Sequence, residues 1–284
     1  TTYGLVRQDL EEYLKINFEL VVIDEAQNIK NPNALMTKAI KSINANTKIA
    51  LTGTPLENNV LELWSIFDFI MPGYLASINK FTKKYNLKDV NEEELNKLNS
   101  LSKQIKPFIL RRMKKNVIKD LPDKIENNIY IDLNENQKKV YAAQVNKTNQ
   151  EIDEIIKTEG FDKARFKILQ LLTKLRQICI DPKIVFENYT GGSSKIEYLV
   201  NLVKEIIANE HKILLFTSYK TALDIVNREF NNNGISTYII DGSVSSKKRM
   251  ELVNKFNNDD TNVFLIMLKA GGTGLNLTSA DVVI

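Results

Sequence analysis

Val21-Val22-Ile23-Asp24-Glu25-Ala26-Gln27 is a strand that ends in two adjacent carboxylates. Leu20 to Ile23 is a short unbroken apolar run, the pattern of a strand buried on both faces of a parallel sheet. Asp24 and Glu25 then fall at its carboxyl end, the edge where open α/β sheets bind ligands. Two neighbouring acids there are costly unless they hold a metal or handle protons. Mg²⁺ is typically bound by one or two carboxylates plus substrate phosphates, so Asp24 suits the metal role. Glu25 suits polarising a water for attack on a phosphoryl group. The plainer alternative is a helix entry in which Asp24 or Asn28 caps the turn that follows.

A second segment weighs against that alternative. Lys48 to Leu51 reads as another short strand, and Thr52-Gly53-Thr54-Pro55 is a tight polar turn at its carboxyl end. In one sheet, the two turns would bring Thr52 and Thr54 beside the acids.

Composition bounds the class without naming it. A chain of 284 residues with 43% hydrophobic content can bury a sizeable core and suggests one or two domains. Its single cysteine, Cys179, excludes an internal disulfide framework and, lying among apolar helical positions, reads as packing. No stretch approaches the ~20 apolar residues of a membrane span, and no signal peptide opens the chain. The net charge of +4 says less than the placement of the charges. The sequence also reads as cut at both ends, starting at Thr1 without methionine and stopping at Asp281-Val282-Val283-Ile284 inside an apolar strand.

After the second turn, Leu61, Trp64, Phe67, Phe69 and Ile70 form a wide apolar helical face that Pro72-Gly73 stops. That spacing favours a core role for Trp64 over base stacking. Glu92-Glu93-Glu94 is most simply a solvated face. Lys106 to Lys119 carries six basic residues and no acid, so it could track a phosphate backbone through Arg111 and Arg112. It could equally be a wet surface beside a buried Phe108-Ile109-Leu110. Lys124 to Leu133 alternates as a strand would, and two long helices follow at about 134–158 and 161–180, parted by Gly160. In the second, Ile168, Leu171, Leu172, Leu175 and Ile178 mark one buried face. Gly191-Gly192-Ser193-Ser194 reads as a hinge or linker with Ser193 or Ser194 capping the next helix. It is no phosphate loop, because G-x-x-x-x-G-K-[ST] occurs nowhere in the chain.

The last hundred residues alternate helix and strand: helices from Ser194, Thr221 and Ser245, and strands at Ile213–Thr217, Ser236–Ile240, Val263–Leu268 and Asp281–Ile284. The alternation predicts βαβ units and a parallel sheet. Polar turns follow three of those strands, at Thr217-Ser218-Tyr219, Asp241-Gly242-Ser243 and Lys269 to Asn276. Amides in the glycine-rich turn around Gly271, Gly272 and Gly274 could cradle a phosphate.

Six ordered segments carry a family resemblance over nearly the whole chain. They are Asp24 to Gln27, Leu51 to Asn58, Phe108 to Arg112, Leu175 to Cys179, Asp241 to Ser243 and Ala270 to Thr278. In this order they resemble the Swi/Snf-type ATPases of helicase superfamily two.

The resemblance implies an α/β fold of two RecA-like lobes with helical insertions, both lobes incomplete here. Residues 1–133 would be the C-terminal part of lobe 1 with a helical insertion, 134–190 a helical hairpin and linker, and 191–284 the N-terminal part of lobe 2. It implies ATP and Mg²⁺ as cofactors, Asp24 on the metal, and Asp24, Glu25 and Gln27 as catalytic. Gln27 stands where many relatives have histidine and would sense the γ-phosphate or link it to the Thr52-Gly53-Thr54 turn, which would couple hydrolysis to lobe movement. Thr217, Ser218, Asp241, Gly242, Gly271, Gly272, Gly274, Asn276, Arg111 and Arg112 would contact nucleic acid or nucleotide. Thr1-Thr2-Tyr3 resembles the edge of an earlier DNA-contacting motif. The partner implied is double-stranded DNA, held mainly by its backbone, with a nucleoprotein complex as a further substrate and no membrane. The expected location is the cytoplasm or nucleoid.

The family's phosphate loop and its last arginine motif are missing from the sequence, so the segment alone is expected to be inactive. Its function belongs to a parent translocase that couples ATP hydrolysis to movement on DNA. Ile180-Asp181 departs from the Asn-His of many relatives. The alternative from another class is a non-catalytic DNA-binding or scaffold protein that keeps a helicase-like fold.

Overall fold

The computed structural model of the chain describes residues 1–53, 60–85, 92–112, 124–270 and 275–284, without the side chains of residues 159 and 162–164. Thr54, the Gly271, Gly272 and Gly274 turn, and the basic residues from 113 to 119 lie outside the described residues. The chain divides into two compact units, Thr1–Asp123 and Lys124–Ile284.

In the first unit, helices α1 (Tyr3–Gln8) and α2 (Leu10–Leu14) lead into strand β1 (Phe18–Ile23). Helix α3 (Leu35–Ser42) returns the chain to β2 (Ala45–Ala50), parallel to β1 with Ile23 opposite Ala50. Helices α4 (Val60–Ile70), α5 (Ile78–Tyr85) and α6 (Glu92–Ile105) complete the unit. Ile23 packs with Val6 of α1, Ile40 of α3, and Ile66 and Phe69 of α4. Because α4 is apolar nearly all round, its other side enters a second cluster through Leu63, Trp64 and Phe67, facing Phe81, Tyr85 and Leu101. Trp64 is core, and its indole N–H donates to the Ala76 carbonyl at 3.1 Å. Gly73, at φ +81°, supplies the left-handed step after α4 that other residues take at a cost.

Two expectations change here. The apolar run of β1 is not buried on both faces: Leu20 and Val22 are 50% and 48% exposed. Among the described residues the sheet has two strands, and its helices cover only the face of Val21 and Ile23. Phe108, Ile109 and Leu110 are exposed rather than buried, so the stretch before Arg111 and Arg112 has no core beneath it.

The second unit runs from Lys124 to Ile284. Residues 124–133 form no strand, because among the described residues no hydrogen-bonded ladder partner runs beside them. Ile129 and Ile131 instead line a cavity of about 480 Å³ with Ile196, Leu199 and Leu215, all of the second unit. Asn134 then caps α7 (Glu135–Glu159), its side-chain oxygen accepting from the Gln137 N–H at 2.8 Å. Gly160 separates α7 from α8 (Phe161–Ile180), on which Leu171 and Ile178 are buried while Leu172 is exposed.

The glycine-serine stretch is pinned rather than a loose hinge. Asn134 donates to the Gly191 carbonyl at 3.1 Å, and Ser193 donates to the Ile180 carbonyl at 2.6 Å while capping the next helix. A β-carbon at Gly191 would meet the Tyr189 hydroxyl at 2.5 Å and Asn136 Cβ at 2.7 Å, which is why no side chain fits there.

From α9 (Ser194–Ala208) the expected alternation is present: β3 (Ile213–Thr217), α10 (Lys220–Asn232), β4 (Thr237–Ile240), α11 (Ser246–Asn258), β5 (Val263–Met267) and β6 (Val282–Val283). All four strands are parallel, in the order β4-β5-β3-β6. On β5, Val263 and Leu265 join the α9 and α10 side of the core, while Phe264 and Ile266 join the α11 side. All four are fully buried, each contributing about 1.5–3 kcal/mol, so β5 organises both layers.

Candidate functional site

The parallel register puts the ends of β1 and β2 side by side. The Leu51 N–H donates to the Ile23 carbonyl at 2.8 Å, and the Ala26 N–H donates back to the Leu51 carbonyl at 2.9 Å. Between these bonds the chain turns through Glu25, whose φ and ψ are +50° and +53°. A non-glycine residue in this left-handed region costs about 1–2 kcal/mol and persists only where its surroundings hold it. The short 3₁₀ turn Ala26–Ile29 follows, locked by the fully buried Ala26 and Ile29 and by Ser65 donating to the Ile29 carbonyl at 2.6 Å. No side chain caps this turn, and α3 starts from Ala34 without a side-chain cap, so neither Asp24 nor Asn28 is a helix cap.

The turn aims three side chains. Gln27 Nε2 donates to Glu25 Oε2 at 2.6 Å, and Thr52 Oγ1 donates to Gln27 Oε1 at 2.7 Å. An ionised carboxylate only accepts, so Glu25 fixes which end of the Gln27 amide faces it, and the amide oxygen must then face Thr52. Glu25 Oε1 accepts no hydrogen bond from the described residues. Asp24 is exposed at the strand end; its Oδ1 accepts the Glu25 N–H at 2.9 Å, and Oδ2 is unused among the described residues. Gly53 is exposed beside Thr52. Tyr3, on α1, donates its hydroxyl to the Asp24 carbonyl at 2.5 Å. Burial, then the charges of Asp24 and Glu25, push the Tyr3 phenol up to about 12, so it stays a donor. Nothing in the local sequence links Tyr3 to Asp24.

In the second unit the polar turns also sit at strand ends. Asp241 is nearly buried and commits both oxygens: Oδ2 accepts Lys220 Nζ at 2.8 Å, and Oδ1 accepts the Ser243 hydroxyl at 2.6 Å and N–H at 2.9 Å. The Lys220 hydrogen bond first, and Ser243 second, hold this carboxyl well below the usual carboxylate range. Asp241 is thus an anchor for its own turn, leaving Gly242 exposed at the tip. Arg249 of α11 ties the turns together: it donates to the carbonyls of Val244 at 2.9 Å, Ala270 at 2.8 Å and Asp241 at 3.3 Å. Ala270 immediately precedes the glycine-rich segment of the sequence. Neither Lys220 nor Arg249 follows from sequence spacing, because the targets of Arg249 are main-chain atoms. Thr217 is half-buried at the end of β3, accepting the Tyr219 N–H at 3.4 Å, while Ser218 is exposed. Asn276 is exposed, its carbonyl accepting from Asn257 at 2.8 Å. Among the described residues no group of three or more His, Cys, Asp or Glu could form a metal cage.

The SNF2-related domain matches residues 1–184, and the helicase conserved C-terminal domain matches residues 194–284. The chain belongs to the SNF2-related family. An uncharacterized ATP-dependent helicase of Mycoplasma pneumoniae is 40% identical over the whole chain, which covers 27% of that protein. The putative ATP-dependent helicase/translocase YwqA of Bacillus subtilis is 37% identical, with 31% of its length covered. Among solved structures, the Sulfolobus solfataricus SWI2/SNF2 ATPase core matches at 35% identity and TM-score 0.52, covering all of this chain and 59% of that one. The same core in complex with double-stranded DNA matches at 34% identity and TM-score 0.50, with 60% of its chain covered. The fold is accordingly the RecA-like α/β type of SNF2-related cores, with helical insertions. This chain spans under a third of the length of those curated relatives.

Proposed function

We propose that the intact SNF2-related protein is an ATP-dependent translocase on double-stranded DNA, with hydrolysis run from the acidic turn after β1. The observation that carries this is the relay from Thr52 through Gln27 to Glu25 on a left-handed turn at the carboxyl edge of parallel strands. A strained acid held by Gln27, itself held by Thr52, fits a reaction better than a structural cap would.

In this reading Glu25 Oε1 takes the proton from the water that attacks the γ-phosphoryl group, while Gln27 holds Oε2 and so fixes the direction of the carboxylate. A positioned base of this kind is worth about 10²–10⁴ in rate. Asp24, with an exposed carboxylate and one oxygen unused among the described residues, suits a Mg²⁺ ion that also takes phosphate oxygens and water. That ion would supply charge neutralisation at the phosphates. Thr52, with Gly53 and Thr54, would pass the state of the site onward through the Gln27 amide.

Double-stranded DNA is supported as partner by the DNA-bound Sulfolobus core. The exposed Arg111, Arg112, Ser218, Gly242 and Asn276, together with Thr217, Gly271, Gly272 and Gly274, are the residues we assign to phosphate or nucleotide contact. Asp241 serves that role by shaping its turn. Contact of this kind holds the backbone rather than reading bases. A nucleoprotein complex would be the object moved, and the protein would work in the cytoplasm or at the nucleoid.

Measuring ATP turnover of the intact protein while titrating duplex DNA tests this. Turnover that rises with DNA is expected; DNA binding with no turnover would favour a scaffold that has kept the fold.

A further inference from the structure

The peptide unit between Asp24 and Glu25 is held at both ends. Its carbonyl oxygen accepts the Tyr3 hydroxyl at 2.5 Å, and its N–H donates to Asp24 Oδ1 at 2.9 Å. Rotation of that one plane sets ψ of Asp24 and φ of Glu25, and φ of Glu25 is +50°. The next N–H, of Ala26, is fixed to β2 through the Leu51 carbonyl at 2.9 Å. Releasing the Asp24 carbonyl would therefore free the side of the turn that α1 controls, and the left-handed Glu25 would gain by relaxing.

Tyr3 is built for this task. Thr2 caps α1 with its hydroxyl, which fixes the start of the helix, and the Tyr3 ring packs against the cluster of Val6, Ile23 and Ile40. The ring is thus held by the same core that holds the strand end. Thr1-Thr2-Tyr3 resembles the edge of a DNA-contacting motif, yet the Tyr3 hydroxyl is spent inward.

We propose that Tyr3 is a positioning residue for phosphoryl transfer: its hydroxyl fixes the Asp24–Glu25 peptide plane and so aims the Glu25 carboxylate at the attacking water. This rests on the reading of Asp24 and Glu25 as the hydrolytic pair. In this role Tyr3 acts through Glu25, by way of the Asp24 carbonyl.

The test is a double-mutant cycle on the intact protein with Tyr3→Phe, Glu25→Gln and the pair, following DNA-stimulated ATP turnover. Tyr3→Phe keeps the packed ring, so a thermal midpoint close to that of the parent is expected. Its kcat should fall about 10-fold with KM for ATP changed less than about twofold, since a misaimed base loses rate rather than binding. In the Glu25→Gln background, Tyr3→Phe should cost nothing further. Unchanged kcat in Tyr3→Phe, an effect confined to KM, or effects that multiply in the double variant would each overturn the proposal. If Glu25→Gln alone left turnover intact, the hydrolytic reading itself would fall, and the positioning role with it.

Discussion

Thr52 donates its hydroxyl to Gln27 at 2.7 Å across 25 residues of sequence, and Gln27 passes the constraint to Glu25 at 2.6 Å. The amide links the polar turn after β2 to the acid after β1 through side chains alone. Replacing it by Gln27→Leu, of similar size but with no polar atoms, should lower kcat about 10- to 100-fold with little effect on folding. Gln27→His can donate from one ring nitrogen and accept at the other, so it should retain most turnover. Steady-state kinetics on both variants of the intact protein check this.

Arg249 holds three carbonyls in two turns with one planar fork. A lysine carries one charged centre and cannot span them, so Arg249→Lys should destabilise the second unit by about 2 kcal/mol. Amide exchange should accelerate at 241–245 and 267–270 ahead of the β5 core. Equal protection in parent and variant would show that the turns hold without the fork.

Asp241 is depressed in the folded protein, chiefly by Lys220. Its contribution to stability is therefore complete above the unfolded carboxyl value of about 3.9 and fades as pH falls toward the lower folded value. Asp241→Asn should be less stable at pH 7 and should lose less stability than the parent below about pH 4. Tyr3 runs the other way: its contribution is present below the unfolded value of about 10 and is lost as pH rises through about 12. Denaturation midpoints taken across pH separate the two.

Arg111 and Arg112 are exposed beside the exposed Leu110. If both track phosphates, Arg111→Gln with Arg112→Gln should reduce the slope of log affinity against log salt by about one unit for each phosphate no longer neutralised. Binding isotherms with duplex DNA at several salt concentrations read this directly, and an unchanged slope returns the pair to ordinary surface.

Much of the second unit was legible because its strands are short apolar runs between amphipathic helices, and β5, apolar at every position, had to lie in the middle of a sheet. The acidic turn was legible for a related reason: an apolar run ending in Asp24-Glu25 leaves those acids at a strand end. The alternation of 124–133 misled because period two reports which side chains turn inward, and a segment without a ladder partner can share it. Leu20 and Val22 misled because an apolar run does not say how many layers cover it. Tyr3, Lys220 and Arg249 were missed because their partners are distant, and two of the three bind main-chain carbonyls, which have no sequence signature.

The most direct measurement is nucleotide binding and DNA-stimulated turnover of the intact protein carrying Glu25→Gln. The account predicts ATP affinity within about threefold of the parent and turnover reduced by about 10²–10⁴. Turnover equal to the parent's would contradict it.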